Sequence, residues 1–119
     1  MTTAPADRDG DWSALMAAAQ DGDRRAYERL LREIVPFLRA IARRRLRGAA
    51  DVEDAVQDAL LTIHQIRYTY DPARPIRPWL GAIAERRALD RVRRLARLAG
   101  REEELTDLHH ETLQGAPTN

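Results

Sequence analysis

The 119-residue chain contains no cysteine and no lysine, and only 5% of its residues are aromatic. Without cysteine there is no disulfide, no thiolate metal site and no cysteine nucleophile; the composition fits a reducing compartment. No apolar run approaches the roughly 18 residues that a membrane-spanning helix needs, and the first residues lack the apolar stretch of a signal peptide. Six glycines and six prolines are too few for a chain disordered throughout. A secreted disulfide scaffold, a membrane protein and a collagen-like chain are excluded. What is abundant is Ala, Leu and Arg, all good helix formers, in a length that suits one domain with a modest core.

Every one of the 20 basic residues is arginine, set against 19 acids for a formal net charge of +1. That value averages over blocks. Residues 1–23 carry −4, 24–50 carry +7, 51–66 carry −4, 67–101 carry +7 and 102–119 carry −5. Segregation of this kind makes local fields that the net charge hides.

Residues 1–10 read as a flexible leader. Asp11 is placed to cap a short helix over 12–20, ended by Asp21-Gly22. Asp23 caps a long helix from Arg24 to about Arg47, with Tyr27, Leu30, Leu31, Ile34, Leu38, Ile41 and Ala42 at helical spacing. Pro36 within it predicts a kink, and Gly48-Ala49-Ala50 a break. Asp51 caps the next helix, about 52–66. A loop over 67–78 follows, with three prolines in seven residues. The last long helix starts near Pro78 or Trp79 and runs to about Ala99, with Gly100 its expected stop. The helical domain is thus 11–99, followed by an acidic linker at 100–119. No repeat or strand alternation is present. The predicted fold is all-α: a compact bundle of three main helices plus a short leading helix.

Two helices carry faces that core packing does not explain. At about 100° per residue, Val52, Val56, Ala59, Leu60 and Ile63 form the core stripe of the 52–66 helix. Opposite lie Asp54, Asp58, Leu61 and Gln65, flanked by Gln57. A bulky apolar residue ringed by acids and amides is a docking face for a basic partner. In the 79–99 helix the core stripe is Ala84, Ala88, Val92, Leu95 and Ala99. Arg86, Asp90, Arg93 and Arg97 share the opposite face, widened by Arg87 and Arg94. A guanidinium is a rigid, permanently charged fork suited to phosphate. Trp79 and Ile83 fall on the arginine side of an ideal helix. Either the preceding loop folds back over them, or they form an apolar pocket beside the arginines, or each packs against a neighbouring helix. That loop holds Arg67, Tyr68, Tyr70, Arg74 and Arg77, and aromatics interleaved with arginines suit unpaired nucleic acid.

The ordered elements Glu53-Asp54-x-x-Gln57-Asp58, a Tyr/Pro loop, Trp79-Leu80-x-x-Ile83-Ala84 and Asp90-x-x-Arg93 resemble region 2 of bacterial sigma factors of the extracytoplasmic-function (ECF) type. The likeness covers roughly residues 12–99. It implies the sigma region 2 fold and, as partners, core RNA polymerase and promoter DNA. By this resemblance Glu53, Asp54, Gln57 and Asp58, with Leu61 at their centre, dock on the polymerase clamp helices. The 67–78 loop captures a flipped base as the −10 element melts, and the start of the last helix recognises the −10 non-template strand. DNA contacts are then expected from Arg67, Tyr68, Tyr70, Arg74, Arg77, Trp79, Ile83, Arg86, Arg87, Asp90, Arg93, Arg94 and Arg97. Many family members carry Asn where this chain has Arg86, which predicts an altered −10 preference. The family also carries a C-terminal helix-turn-helix domain that reads the −35 element; here it is expected to lie outside the chain. An anti-sigma factor is a further implied partner, and the setting is the bacterial cytoplasm.

Two other readings fit parts of the sequence. A sigma-like interaction module could bind an anti-sigma factor and never touch DNA, but it would not need the arginine face. An enzyme could use Glu103, Glu104 and Asp107 with His109 and His110, but these sit in a tail with no rigid frame. With no nucleophile–base arrangement and no Gly-rich phosphate loop, catalysis, a metal and a cofactor are not expected.

Overall fold

The computed structural model describes the backbone of residues 8–115 and the side chains of residues 10–102. The leader and most of the acidic tail, including the Glu103, Asp107 and His109 side chains, lie outside the described side chains. Four α-helices follow in order: α1 (Arg8–Gln20), α2 (Arg24–Arg43), α3 (Ala49–Ile66) and α4 (Ile76–Gly115), with a 3₁₀ turn at Arg67–Thr69. Among the described residues there is no strand, so the fold is all-α as the periodicity predicts.

The core is the set of predicted stripes meeting face to face. Leu30, Ile34, Leu38 and Ile41 of α2 and Val52, Val56, Ala59 and Ile63 of α3 are buried, with Ala84 and Ala88 of α4. Trp12 and Met16 of α1 close the bundle. Tyr27, Leu31, Val92 and Leu95 pack partly buried at its edge, and Ala99 is exposed because α4 has left the bundle by then.

Helix ends differ from the sequence expectation for identifiable reasons. α1 begins at Arg8, so Asp11 lies inside the helix rather than capping it. Asp23 does cap α2, its carboxylate accepting the Ala26 N–H at 3.0 Å. Gly22 makes the turn before it at φ 100°, a left-handed conformation that favours glycine. α2 runs unbroken through Pro36 and ends at Arg43, four residues early. The amides of Arg44, Arg45 and Leu46 tighten onto Ile41 and Ala42, which turns Leu46 into the core. Ala49 and Ala50, strong helix formers, extend α3 backwards to an N-cap at Gly48, and Asp51 sits in its first turn instead.

α4 corrects the expectation at both ends. It starts at Ile76, placing Pro78 in the first turn, where a missing N–H leaves no helical bond unmade. Ile76, Leu80 and Ile83 are buried. Tyr70 of the preceding loop packs against Trp79, whereas Ile83 joins the buried core of the bundle. Gly100 does not stop the helix, which continues to Gly115. Gly100 lacks the positive φ of a terminating glycine, and the following Glu-rich run favours helix. The predicted linker therefore begins as a continuation of α4, about 60 Å of helix in all at 1.5 Å per residue.

Candidate nucleic-acid interface

On α3, Leu61 stands 59% exposed, with Gln57, Asp58 and Gln65 exposed around it. Core packing claims the other side of the helix, so nothing in the bundle covers this patch. Two acids assigned to the same face are already engaged. Glu53 accepts hydrogen bonds from two of the three Arg39 guanidinium nitrogens, Nε at 2.6 Å and Nη2 at 3.0 Å. That hydrogen bond holds its carboxyl below the usual carboxylate range. Asp54 accepts Arg91 Nη2 at 2.9 Å, and the same nitrogen reaches Asp51 at 3.2 Å. Asp58 and Leu61 are left as the outward centre; Asp58 forms no ion pair among the described residues.

On α4, Arg86 and Arg87 flank Asp90, at 3.4 and 3.0 Å. Asp90 therefore holds two guanidinium groups, and its own negative charge opposes a phosphate. Arg93, Arg94 and Arg97 have no partner among the described residues, and all three are exposed or nearly so. Arg93 and Arg97 continue the face that begins at Arg86, about two and three helical turns further along.

The loop residues, grouped by sequence into one site, separate in space. Tyr70 is buried at 4% exposure. Its hydroxyl bonds to Ser13 Oγ at 2.8 Å and to the Arg74 carbonyl, while Gln20 Nε2 donates to the carbonyls of Arg67 and Tyr70 at 2.8 and 2.9 Å. Tyr70 is thus an anchor of the loop with one ring face at a cleft, not an exposed stacking platform. Trp79 packs against it, ring centroids 5.3 Å apart. Tyr70, Trp79, Arg74, Pro75 and Pro78 line a cleft of about 580 Å³. Arg74 at its edge is 82% exposed. Ile83 lies in the core at 9% exposure, so the expected DNA contact by its side chain is not available in this conformation. Arg77 also departs from expectation. Its guanidinium lies over the rings of Trp12 and Phe37, at 4.4 and 4.9 Å, and ties the head of α4 to α1 and α2. Arg67 and Tyr68 lie on a different cleft, with Tyr27 and His64.

Arg39, Arg91, Gln20, Tyr27 and His64 carry no local sequence signal for these roles. Each acts on a residue 14 to 50 positions away, across a helix contact that a single-helix projection cannot see.

Among the described residues no group of three or more acidic, His or Cys side chains is placed to hold a metal ion, and no helix is long and apolar enough to cross a membrane.

The arrangement defines a class: an all-α domain with an exposed apolar residue among acids and amides on one helix and an arginine face beside an aromatic cleft on the next. Comparison with known proteins places it more closely. The model of the family Sigma-70 region 2 matches residues 30–98, and the chain belongs to that family as a region 2 of the ECF type. It is 43% identical over 82 residues to the ECF RNA polymerase sigma factor SigF of Caulobacter vibrioides, covering 68% of this chain and 46% of that protein. It is 39% identical over 82 residues to the ECF RNA polymerase sigma factor SigM of Mycobacterium tuberculosis, covering 67% of this chain and 41% of that protein. The matches span under half the length of these curated relatives. No solved structure matches the chain. None of the matched proteins indicates an enzymatic family.

Proposed function

We propose that this chain is the region 2 domain of an RNA polymerase sigma factor that docks on the clamp helices of core polymerase and recognises and melts the promoter −10 element. The observation that carries the reading is the cleft walled by Trp79 and Tyr70, with Arg74 exposed at its edge. A base pulled from the duplex loses a few kcal/mol of stacking and pairing. A ring wall offsets part of that at about 1–3 kcal/mol per stacked base, and a guanidinium at the edge holds the phosphate that follows. The cleft is also pre-formed, because Gln20 and Ser13 fix the loop from α1.

Arg93, Arg94 and Arg97 then follow the backbone of the same non-template strand, and Arg86 with Arg87 meets it nearest the cleft. Arg86, where Asn is common in the family, favours phosphate or a guanine edge over the adenine edge that an amide reads. Polymerase docking falls to Leu61, Gln57 and Asp58, with Glu53 and Asp54 contributing charge while held by Arg39 and Arg91. An anti-sigma factor that covered Leu61 would compete directly with polymerase. Both partners place the working protein in the bacterial cytoplasm.

The test is binding of a fluorescent −10 non-template strand to the full chain across a salt series. Affinity is expected to fall steeply as salt rises, and Trp79→Ala to weaken binding at every salt. Affinity independent of salt, or unchanged by Trp79→Ala, overturns the reading. If binding to polymerase is strong and DNA binding absent, the chain is an interaction module instead.

A further inference from the structure

The Arg67–Thr69 turn separates two clefts. Thr69 and Tyr70 line the one assigned above; Arg67 and Tyr68 line a second, of about 360 Å³, closed by Gly22, Asp23 and Arg24 of the α1–α2 turn and by Tyr27 and His64. Its walls are flat and held in register. Tyr27 and His64 are stacked, 29° from parallel with centroids 5.8 Å apart, and the Tyr27 hydroxyl lies 2.9 Å from His64 Nδ1. The Arg67 guanidinium lies over both Tyr27 and Tyr68, at 5.6 and 4.6 Å, and donates to the His64 carbonyl at 2.5 Å.

We propose that this cleft is a second subsite for an unpaired nucleotide, next along the strand to the one captured in the cleft that Tyr70 and Trp79 line. The inference rests on the strand-binding reading above and adds an occupant to a site that reading leaves empty. Three features favour a nucleotide. Tyr68 is 63% exposed and adds nothing to the core, so the ring face away from Arg67 is open to a base. The guanidinium already stacked on it stiffens that ring and supplies a positive charge beside the base. Arg24, exposed at the mouth with no partner among the described residues, is placed for a phosphate at the positive end of α2. Two acids also line the cleft. Asp23 is committed to capping α2, and Glu28 is the one that opposes a phosphate. Continuity decides the ligand class: a chain of linked nucleotides reaches both clefts across one turn of backbone, whereas a free small molecule gains nothing from their adjacency.

The experiment uses the full chain at low salt with −10 non-template oligonucleotides carrying 2-aminopurine at one position at a time. Stacking on a side chain changes the emission of that base. Two neighbouring positions are expected to respond. Tyr68→Ala should abolish the response at one of them and weaken binding roughly 5- to 150-fold, with Tyr68→Phe restoring both. Arg24→Ala should weaken binding and reduce its salt dependence. Trp79→Ala should abolish only the other response. If one position responds and Tyr68→Ala leaves it and the affinity unchanged, the second subsite is refuted while the first stands. If no position responds, base capture itself fails. If Tyr68→Ala spares DNA but weakens core polymerase binding, the cleft belongs to a protein contact and the proposal is overturned.

Discussion

Leu61 and Ile63 are two residues apart on α3 and face opposite ways, one 59% exposed and the other fully buried. Leu61→Ala should leave the unfolding midpoint nearly unchanged, since surface changes stay within about 0.5 kcal/mol. It should weaken polymerase binding about tenfold or more, as an apolar centre of an interface does. Ile63→Ala should cost about 2–5 kcal/mol in chemical denaturation. Equal destabilisation by both would mean that Leu61 belongs to the core. A second pair joins Trp12 to Glu33, whose carboxylate accepts Trp12 Nε1 at 3.1 Å and Arg29 Nε at 2.7 Å. The Arg29 hydrogen bond, helped by Trp12, holds the Glu33 carboxyl below its ordinary 4.5. A depressed carboxylate stabilises the fold fully above its unfolded value and loses that contribution as pH falls through the folded one. Acidification below about 4.5 should therefore loosen the Trp12 contact. The effect is small, because the Glu33 carboxylate and its Arg29 partner are solvent-exposed. Trp12 emission in a Trp79→Phe background reports it, and Glu33→Gln should flatten the acid response.

At the scale of elements, the stripes of α2 and α3 were legible because each helix buries one face, and 3.6-residue periodicity records that directly. The Asp23 cap was legible because capping is local. Helix limits were less so. Leu46 leaves α2 to reach the core, a tertiary demand that no propensity encodes. Gly100 departs from the sequence expectation because glycine stops a helix only when the chain there adopts a left-handed conformation, and φ is not written in the sequence. The candidate site divides the same way. Leu61 and the arginine face were visible by projection, whereas the burial of Tyr70 depends on Ser13 and Gln20 of another helix. The contrasting roles of Gly22 and Gly100 can be measured. Gly100→Ala meets no atom within 4 Å and should raise helicity by circular dichroism, stabilising that stretch of α4 by up to about 1 kcal/mol. Gly22→Ala also meets no atom, yet it must hold φ 100° and should destabilise by about 1–2 kcal/mol. Opposite signs for two glycines in open space would isolate backbone conformation as the cause.

Across the whole molecule, the +1 net charge conceals basic and acidic helices laid side by side and stitched by ion pairs. Arg39 joins α2 to Glu53 of α3, Arg45 joins the end of α2 to Glu85 of α4, and Arg91 of α4 joins both Asp51 and Asp54 of α3. The acidic face proposed for polymerase is thereby fastened to the arginine helix proposed for DNA. This bears on how the two activities can be separated. Asp54 is a seam residue as well as a surface one, so reversing its charge would place a cation against Arg91 and disturb α4. Asp58→Arg with Leu61→Ala avoids the seam and should remove polymerase binding alone. Arg86→Ala with Arg93→Ala should weaken DNA binding alone, as both side chains are exposed. Arg91→Ala is the crossing case. Its side chain is only 23% exposed, and its loss leaves Asp51 and Asp54 without their cation. It should lower stability by about 1–2 kcal/mol and reduce binding to polymerase and DNA together, although Arg91 is assigned to neither surface. Chemical denaturation and the two binding assays on these three variants give a pattern of one loss, the other loss, and both. Arg91→Ala acting on DNA alone would make it a phosphate ligand, and the seam would then carry no coupling between the faces.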